Sequence, residues 1–583
     1  MPELKKHKHS KRSVEKVRNN KKKAELALVA AQTHTDVEPH VSTYNGILDA
    51  GADSSDEEIG AGISRNTLDS IVKIYCTHCD PNYSLPWQMK RQNYSTSSGF
   101  VIAGRLILTN AHSVENHTVV KIKKRGSDQK HLARVLSIGN ECDLALLTVD
   151  DDSFWSFSSP LEPGALPSLQ DPVTVVGFPI GGENISVTSG VVSRVEMQPY
   201  CHSQAELLGV QIDAAINSGN SGGPVLNAAW QCVGVAFQSL NSAEAENIGY
   251  IIPWIVVMHF LDDYKKNKCY TGFCSTGFEW QGMENPSLRQ FMKMGPQTGI
   301  LVKWVDPLSE ANTKAGLRKG DVITMFDDHG IANDGTVAYR AGERISFNYL
   351  KSLKFVGDNC TLTIWRDNSL HKLTYPLGTI QTPLLVPMRE HRRMPEYIVA
   401  AGLVFVCLSE PYLRAEFGED FQEHAPVKLL DRVLHGRKTF KDEQVVVLSQ
   451  SLDCQVNVGC QYLLNTQLLR INGTSVRNLP HLAKLYDECK DDYIKLDFEY
   501  DEVIVLKRDE AIACNAQVLL QHGIPKARSL GAIKTVESST AKSETDDTAT
   551  ESKASKKSSK QSSKKSKKVK KSKKRKAADS DSE

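Results

Sequence analysis

The chain has 583 residues, 40% of them apolar, enough to bury several cores rather than one. Its net charge of +2 conceals an asymmetry: residues 1–23 hold ten Lys/Arg against two Glu, residues 553–583 hold fourteen against three acids, and the body between carries −17. The longest apolar run, residues 397–408, falls far short of the roughly 20 residues that span a bilayer, and residues 1–8 lack the apolar stretch of a secretory signal, so neither a membrane partner nor secretion is expected.

Thirteen cysteines, an odd number scattered along the chain, suit reduced thiols better than a disulfide framework. Cys76-Thr77-His78-Cys79 has a metal-like spacing, but no second pair accompanies it. No metal and no cofactor are expected.

Taken in order, residues 1–64 read as a disordered basic arm and acidic linker. They include a short alanine-rich helix candidate at 24–32 and the acidic run Asp53-Ser54-Ser55-Asp56-Glu57-Glu58. Residues 65–265 carry short alternating strands from Ile71-Val72-Lys73-Ile74-Tyr75 to Ile252, which predict two Greek-key β-barrels closed by a helix at 253–263.

Three motifs inside this region carry chemistry. Thr109-Asn110-Ala111-His112 follows an apolar run, Asp143 opens the apolar stretch Leu144-Ala145-Leu146-Leu147, and Gly219-Asn220-Ser221-Gly222-Gly223-Pro224 is a glycine-flanked serine. A serine so placed sits on a tight turn, and glycine lets backbone N–H groups close around a reacting carbonyl. Each residue alone has a bland reading: His112 is one of 17 histidines, Asp143 can end a turn, and Ser221 can fill one. Together, in the order His112, Asp143, Ser221, they match the chymotrypsin double barrel and not subtilisin or the α/β-hydrolases. The roles follow: Ser221 attacks, His112 takes and returns the proton, and Asp143 holds the imidazole tautomer. The N–H groups of Gly219 and Ser221 form the oxyanion hole.

With Ser98-Gly99-Phe100-Val101, Gly177-Phe178-Pro179 and Asp213-Ala214-Ala215-Ile216-Asn217-Ser218, these motifs make residues 65–260 resemble the Do-like (Deg/HtrA) serine proteases. The resemblance implies an ATP-independent serine endopeptidase acting on unfolded or damaged proteins, assembled as trimers or hexamers. The lysine-rich ends look most like the plant-type nuclear branch. Ala215, six residues before the nucleophile, would lie at the pocket base, and Val233-Gly234-Val235-Ala236-Phe237 would form its wall. A small, uncharged pocket predicts cleavage after small or aliphatic residues.

The resemblance also implies PDZ modules after the protease domain. Residues 270–380 read as the first, with Gly299, Ile300, Leu301 and Val302 as its peptide-binding loop and strand. Residues 384–520 read as a second, divergent PDZ-like module, with Ala401-Gly402-Leu403-Val404-Phe405 as its loop and a charged, partly helical insert at 409–442. Residues 530–583 form a disordered Ser/Lys-rich tail. Its lysine clusters read as a nuclear or nucleolar import signal and as a nonspecific binder of nucleic-acid phosphates, with a cytoplasmic location as the alternative. The competing function is a chaperone or PDZ binding scaffold in which proteolysis is secondary.

Overall fold

The computed structural model describes residues 65–156, 159–200, 205–242, 245–340, 342–379, 384–389 and 394–530. The expectations for the basic arm, the helix at 24–32, the acidic linker and the lysine-rich tail fall outside those residues.

Six strands form the first barrel: β1 (Ile71–His78), β2 (Asn93–Ile102), β3 (Leu106–Thr109), β4 (His117–Lys124), β5 (Lys130–Gly139) and β6 (Leu144–Val149). They close in the order β1-β2-β3-β6-β5-β4. Val72, Ile74, Ile107, Ile122, Ala145 and Leu147 fill the interior with no exposed surface. Burying each larger aliphatic side chain is worth roughly 1.5–3 kcal/mol. The second barrel uses β7 (Pro172–Gly177), β8 (Ser186–Pro199), β9 (Glu206–Ile212), β10 (Pro224–Leu226), β11 (Cys232–Ser242) and β12 (Ala245–Pro253), closed as β10-β11-β12-β9-β8-β7. Val175, Val192, Val210, Ile212, Val225, Val233 and Ile251 make its core. Closure removes every sheet edge, so both barrels are rigid platforms for the loops at their ends.

Helix α1 (Trp254–Asn267) follows, ending where Lys268 turns left-handed at φ 58°. It docks the barrels onto the middle module: His259 stacks between Phe273 and Phe355 at 4.3 Å from each ring, and its Nε2 meets the Lys354 carbonyl at 3.1 Å.

The middle module's main sheet runs Phe278–Gln281, Ile300–Val305, Val322–Phe326, Asn359–Arg366, Ser369–Pro376. This order corrects the expectation for Gly299–Val302. Ile300–Val305 is paired on both sides, to Phe278–Gln281 and to Val322–Phe326, so it has no edge to offer a peptide. Phe278–Gln281, next to it, is an outer strand of the sheet.

The C-terminal module's sheet runs Val503–Lys507, Tyr493–Phe498, Thr466–Ile471, Val446–Ser451, Leu403–Cys407, Tyr397–Ala400, Arg528–Ser529. Here too the expected peptide loop is something else. Ala401 and Gly402, at φ 49° and 81°, make the two-residue turn of a β-hairpin, and Leu403–Cys407 is paired on both sides. The edge of Tyr397–Ala400 is taken by the chain's own Arg528–Ser529, which carries the module past residue 520. The insert is helical, as expected, at Glu410–Phe417, Phe421–His424 and Val427–His435. After the last of these helices, Arg437 reaches Glu279 on an outer strand of the middle module at 2.9 Å.

Candidate active site

Sheet register brings the first two site residues together. Thr109 at the end of β3 faces Ala145 near the start of β6, so the chain just after the one meets the chain just before the other. Asp143 sits in the left-handed region at φ 50°, its carbonyl accepting from Ala111 N–H at 3.1 Å and Asn110 Nδ2 at 2.9 Å. Those bonds aim its 1%-exposed carboxylate at His112. Oδ2 lies 2.6 Å from His112 Nδ1, and Oδ1 accepts the His112 backbone N–H at 2.9 Å. Burial acts to lower the His112 pKa, but the facing Asp143 carboxylate overcomes it, and the imidazole titrates above its ordinary 6.5.

Ser221 precedes β10 on the second barrel, and its Oγ donates toward the Phe237 carbonyl at 3.4 Å. The loop before it is tightly held. Gly219 has φ 99°, and a Cβ there would lie 2.6 Å from the Phe178 carbonyl oxygen, so only glycine fits. Among the described residues neither the Gly219 nor the Ser221 N–H is spent on a backbone carbonyl, whereas Asn220, Gly222 and Gly223 all donate to one. These are the two N–H groups that the sequence marks as candidate oxyanion donors.

Sequence reading missed Ser98. Fully buried, it donates from Oγ to the Gly219 carbonyl at 2.7 Å and accepts from Phe178 N–H at 2.7 Å. Its signal was present in the Ser98-Gly99-Phe100 motif, but nothing local marked it as a strut of the Ser221 loop. Also missed was Glu115, three residues after His112, whose carboxylate meets Arg389, near the start of the C-terminal module, at 3.3 Å to each oxygen.

The specificity residues are placed as follows. Ala236 is fully buried in the second-barrel core, its N–H bonded to the Gly223 carbonyl and its carbonyl accepting from Gly222. Ala215 is half-buried, its carbonyl held by Thr188 Oγ1 at 2.9 Å. Its chain neighbours Ala214 and Ile216 are buried in the second-barrel core. Cys142, beside Asp143, is a packing residue: burial pushes its thiol far up, and Sγ donates to the Gly139 carbonyl. His78 is likewise engaged, with Nδ1 2.6 Å from the Glu115 carbonyl and Nε2 2.6 Å from Ser95 Oγ.

This arrangement of a carboxylate-held histidine and a glycine-caged serine was compared with known proteins. Residues 97–235 match a trypsin-like peptidase domain and residues 386–531 a PDZ domain. The chain is 47% identical over 462 residues to protease Do-like 2, chloroplastic, of Arabidopsis thaliana, covering 79% of this chain and 75% of that one. The chain belongs to the Do-like serine proteases. Putative protease Do-like 3, mitochondrial, and protease Do-like 4, mitochondrial, of the same organism are 40% and 38% identical over 491 and 485 residues, covering 83% and 82% of this chain and 85% and 89% of theirs.

Membership of this Deg/HtrA family makes the chain a trypsin-like serine endopeptidase. The same relatives overturn the nuclear or nucleolar location expected from the basic ends. Their names place them in chloroplasts or mitochondria, which points away from the nucleus. Lysine clusters are an address only when a receptor reads them, and composition alone does not show that. The PDZ match falls on the module that looked more divergent in sequence.

Proposed function

We propose that this Do-like protease cleaves unfolded or damaged polypeptides without ATP, after small or aliphatic residues, and that its C-terminal modules control access and assembly into trimers or hexamers. The observation that carries the reading is the double contact of Asp143 with His112 beside the glycine-caged Ser221. The small, uncharged side chain of Ala215 supports aliphatic preference. The middle module is read as a second PDZ-type unit, and a peptide C-terminus would add along Phe278–Gln281, an end strand of the sheet. The lysine-rich tail would hold nucleic-acid phosphates nonspecifically, an attraction that weakens steeply with salt.

The test is a mass-resolved cleavage map on a permanently unfolded protein, run beside a native mass measurement. Cuts after Ala, Val, Ile or Leu that vanish in Ser221→Ala are expected. Cleavage that persists in Ser221→Ala would remove the serine mechanism. Suppression of client aggregation by Ser221→Ala would add the chaperone role without replacing the protease.

A further inference from the structure

The Gly219 N–H is useful only if its peptide plane faces the right way, and the structure shows what holds it. The Ser218 carbonyl accepts from Ile180 N–H at 2.8 Å. Because a trans peptide points C=O and N–H in opposite directions, that bond turns the Gly219 N–H away from the β7–β8 loop. The next peptide plane is fixed from the same loop, through Phe178 N–H, Ser98 Oγ and the Gly219 carbonyl. Both planes flanking Gly219 thus depend on residues 178–180.

That loop has little of its own to keep it in place. Ile180 is 68% exposed, and Gly181 and Gly182 follow it, also exposed. Paired glycines carry a large backbone entropy when unrestrained. What fastens the loop comes from β1 and β4 of the other barrel. Lys73, only 4% exposed, donates from Nζ to the Gly182 carbonyl at 2.6 Å and to Glu183 Oε1 at 3.0 Å. Tyr75 OH and Lys123 Nζ complete the grip on Glu183 Oε2 at 2.7 and 3.0 Å. These donors hold the Glu183 carboxyl down to about 2, Tyr75 foremost.

We propose that Lys73 is a positioning residue for the oxyanion hole: its ammonium clamps the β7–β8 loop at Gly182 and Glu183, and the clamped loop sets the two peptide planes around Gly219. An exposed ion pair contributes little to stability. This one joins a buried ammonium to a backbone carbonyl two residues from the Ile180 N–H, so its effect falls on catalysis. The proposal rests on the serine protease reading.

The experiment is steady-state cleavage of an internally quenched peptide by the full chain and its variants, with affinity for a peptide aldehyde measured alongside. The aldehyde forms a tetrahedral adduct on the serine that draws on the oxyanion hole, whereas the intact peptide in its ground state does not. Removing one oxyanion donor outright costs ~100–1000-fold, so misplacing it in Lys73→Met is expected to lower kcat about tenfold or more. KM should stay within about twofold, and aldehyde affinity should fall with kcat. Lys73→Arg should recover most of the loss, because it keeps a buried donor and charge. Glu183→Ala should lower kcat less, and combining it with Lys73→Met should add little, as for two groups in one contact. Unchanged kcat in a folded Lys73→Met, or Lys73→Arg as impaired as Lys73→Met, would overturn the proposal. If Lys73→Met does not fold, unchanged kcat in Glu183→Ala overturns it. A wild-type chain that cleaves nothing would instead defeat the protease reading itself.

Discussion

Asp143 grips His112 at two points, ring and backbone, with Oδ2 on Nδ1 at 2.6 Å and Oδ1 on the His112 N–H at 2.9 Å. Ionised Asp143 only accepts, so it fixes the tautomer that carries its proton on Nδ1 and presents Nε2 as the base. Asparagine would keep the shape and lose the instruction. Its side chain can place an N–H against Nδ1 and stabilise the wrong tautomer. Asp143→Asn is therefore expected to lower kcat by about 1000- to 10,000-fold. Asparagine tolerates the left-handed backbone that Asp143 adopts at φ 50°, so the variant should fold. An unchanged melting temperature with less than a tenfold loss of kcat would contradict this role.

The charges around His112 predict the pH profile. The groups that act on it are Asp143 and Glu115, which raise its pKa, and Arg389, which lowers it. Catalysis needs neutral imidazole, so kcat/KM should rise with pH through a value above 6.5. Stability runs the other way: a raised histidine pKa gives stabilisation that is complete below the unfolded value and is lost as pH climbs through the folded one. Arg389→Gln should move the rising limb to higher pH, and Glu115→Gln should move it lower. Shifts of the same sign in both variants, or none in either, would show that the pair does not act on His112.

The pairing of His112 with Asp143 and the turn that carries Ser221 were legible because each residue lies in a short motif whose geometry is local: a strand end, a turn, a glycine loop. The two barrels were legible from strand alternation. What escaped depends on pairings far apart in sequence. Nothing in Gly299-Ile300-Leu301-Val302 tells whether a strand lies inside a sheet or at its edge; the partner strands Phe278–Gln281 and Val322–Phe326 decide that. Lys73 reads as an ordinary charged residue of β1, and only the approach of a loop more than a hundred residues away buries it. The Arg389–Glu115 contact joins residues 274 apart. Arg528 and Ser529 lie past the 384–520 bounds expected for the module, yet they complete its sheet.

Ala215 offers a test of the pocket. Ala215 is small, uncharged and half-buried, set between Ala214 and Ile216, whose side chains are buried in the second-barrel core. Wild-type chain presented with a peptide library should prefer Ala, Val, Ile or Leu before the scissile bond. Ala215→Asp places a carboxylate where trypsin-like pockets select basic residues, and preference should move toward Lys and Arg with lower overall turnover. A wild-type preference for basic residues, or an Ala215→Asp profile identical to wild type, would remove Ala215 from the pocket base.

The loop between β1 and β2 carries the last prediction, because it fastens the C-terminal module to the protease domain. Trp87 meets Tyr397 edge-on with ring centroids 5.8 Å apart, Tyr83 is buried among Leu385, Val399 and Val404, and Gln450 Nε2 donates to the Ser84 carbonyl. An aromatic pair of this geometry adds about 0.5–1.5 kcal/mol beyond the area it buries. Trp87→Ala should therefore loosen the module without unfolding either barrel. Amide exchange should quicken in Tyr397–Ala400 and in Arg528–Ser529, which pairs with it, while β3 and β6 keep their protection. Active-site turnover on a short peptide should hold, since the triad lies on the barrels. Equal loss of protection in β3 and β6 would mean that Trp87 stabilises the protease domain itself, and unchanged exchange at Tyr397–Ala400 would mean that the ring contact holds nothing.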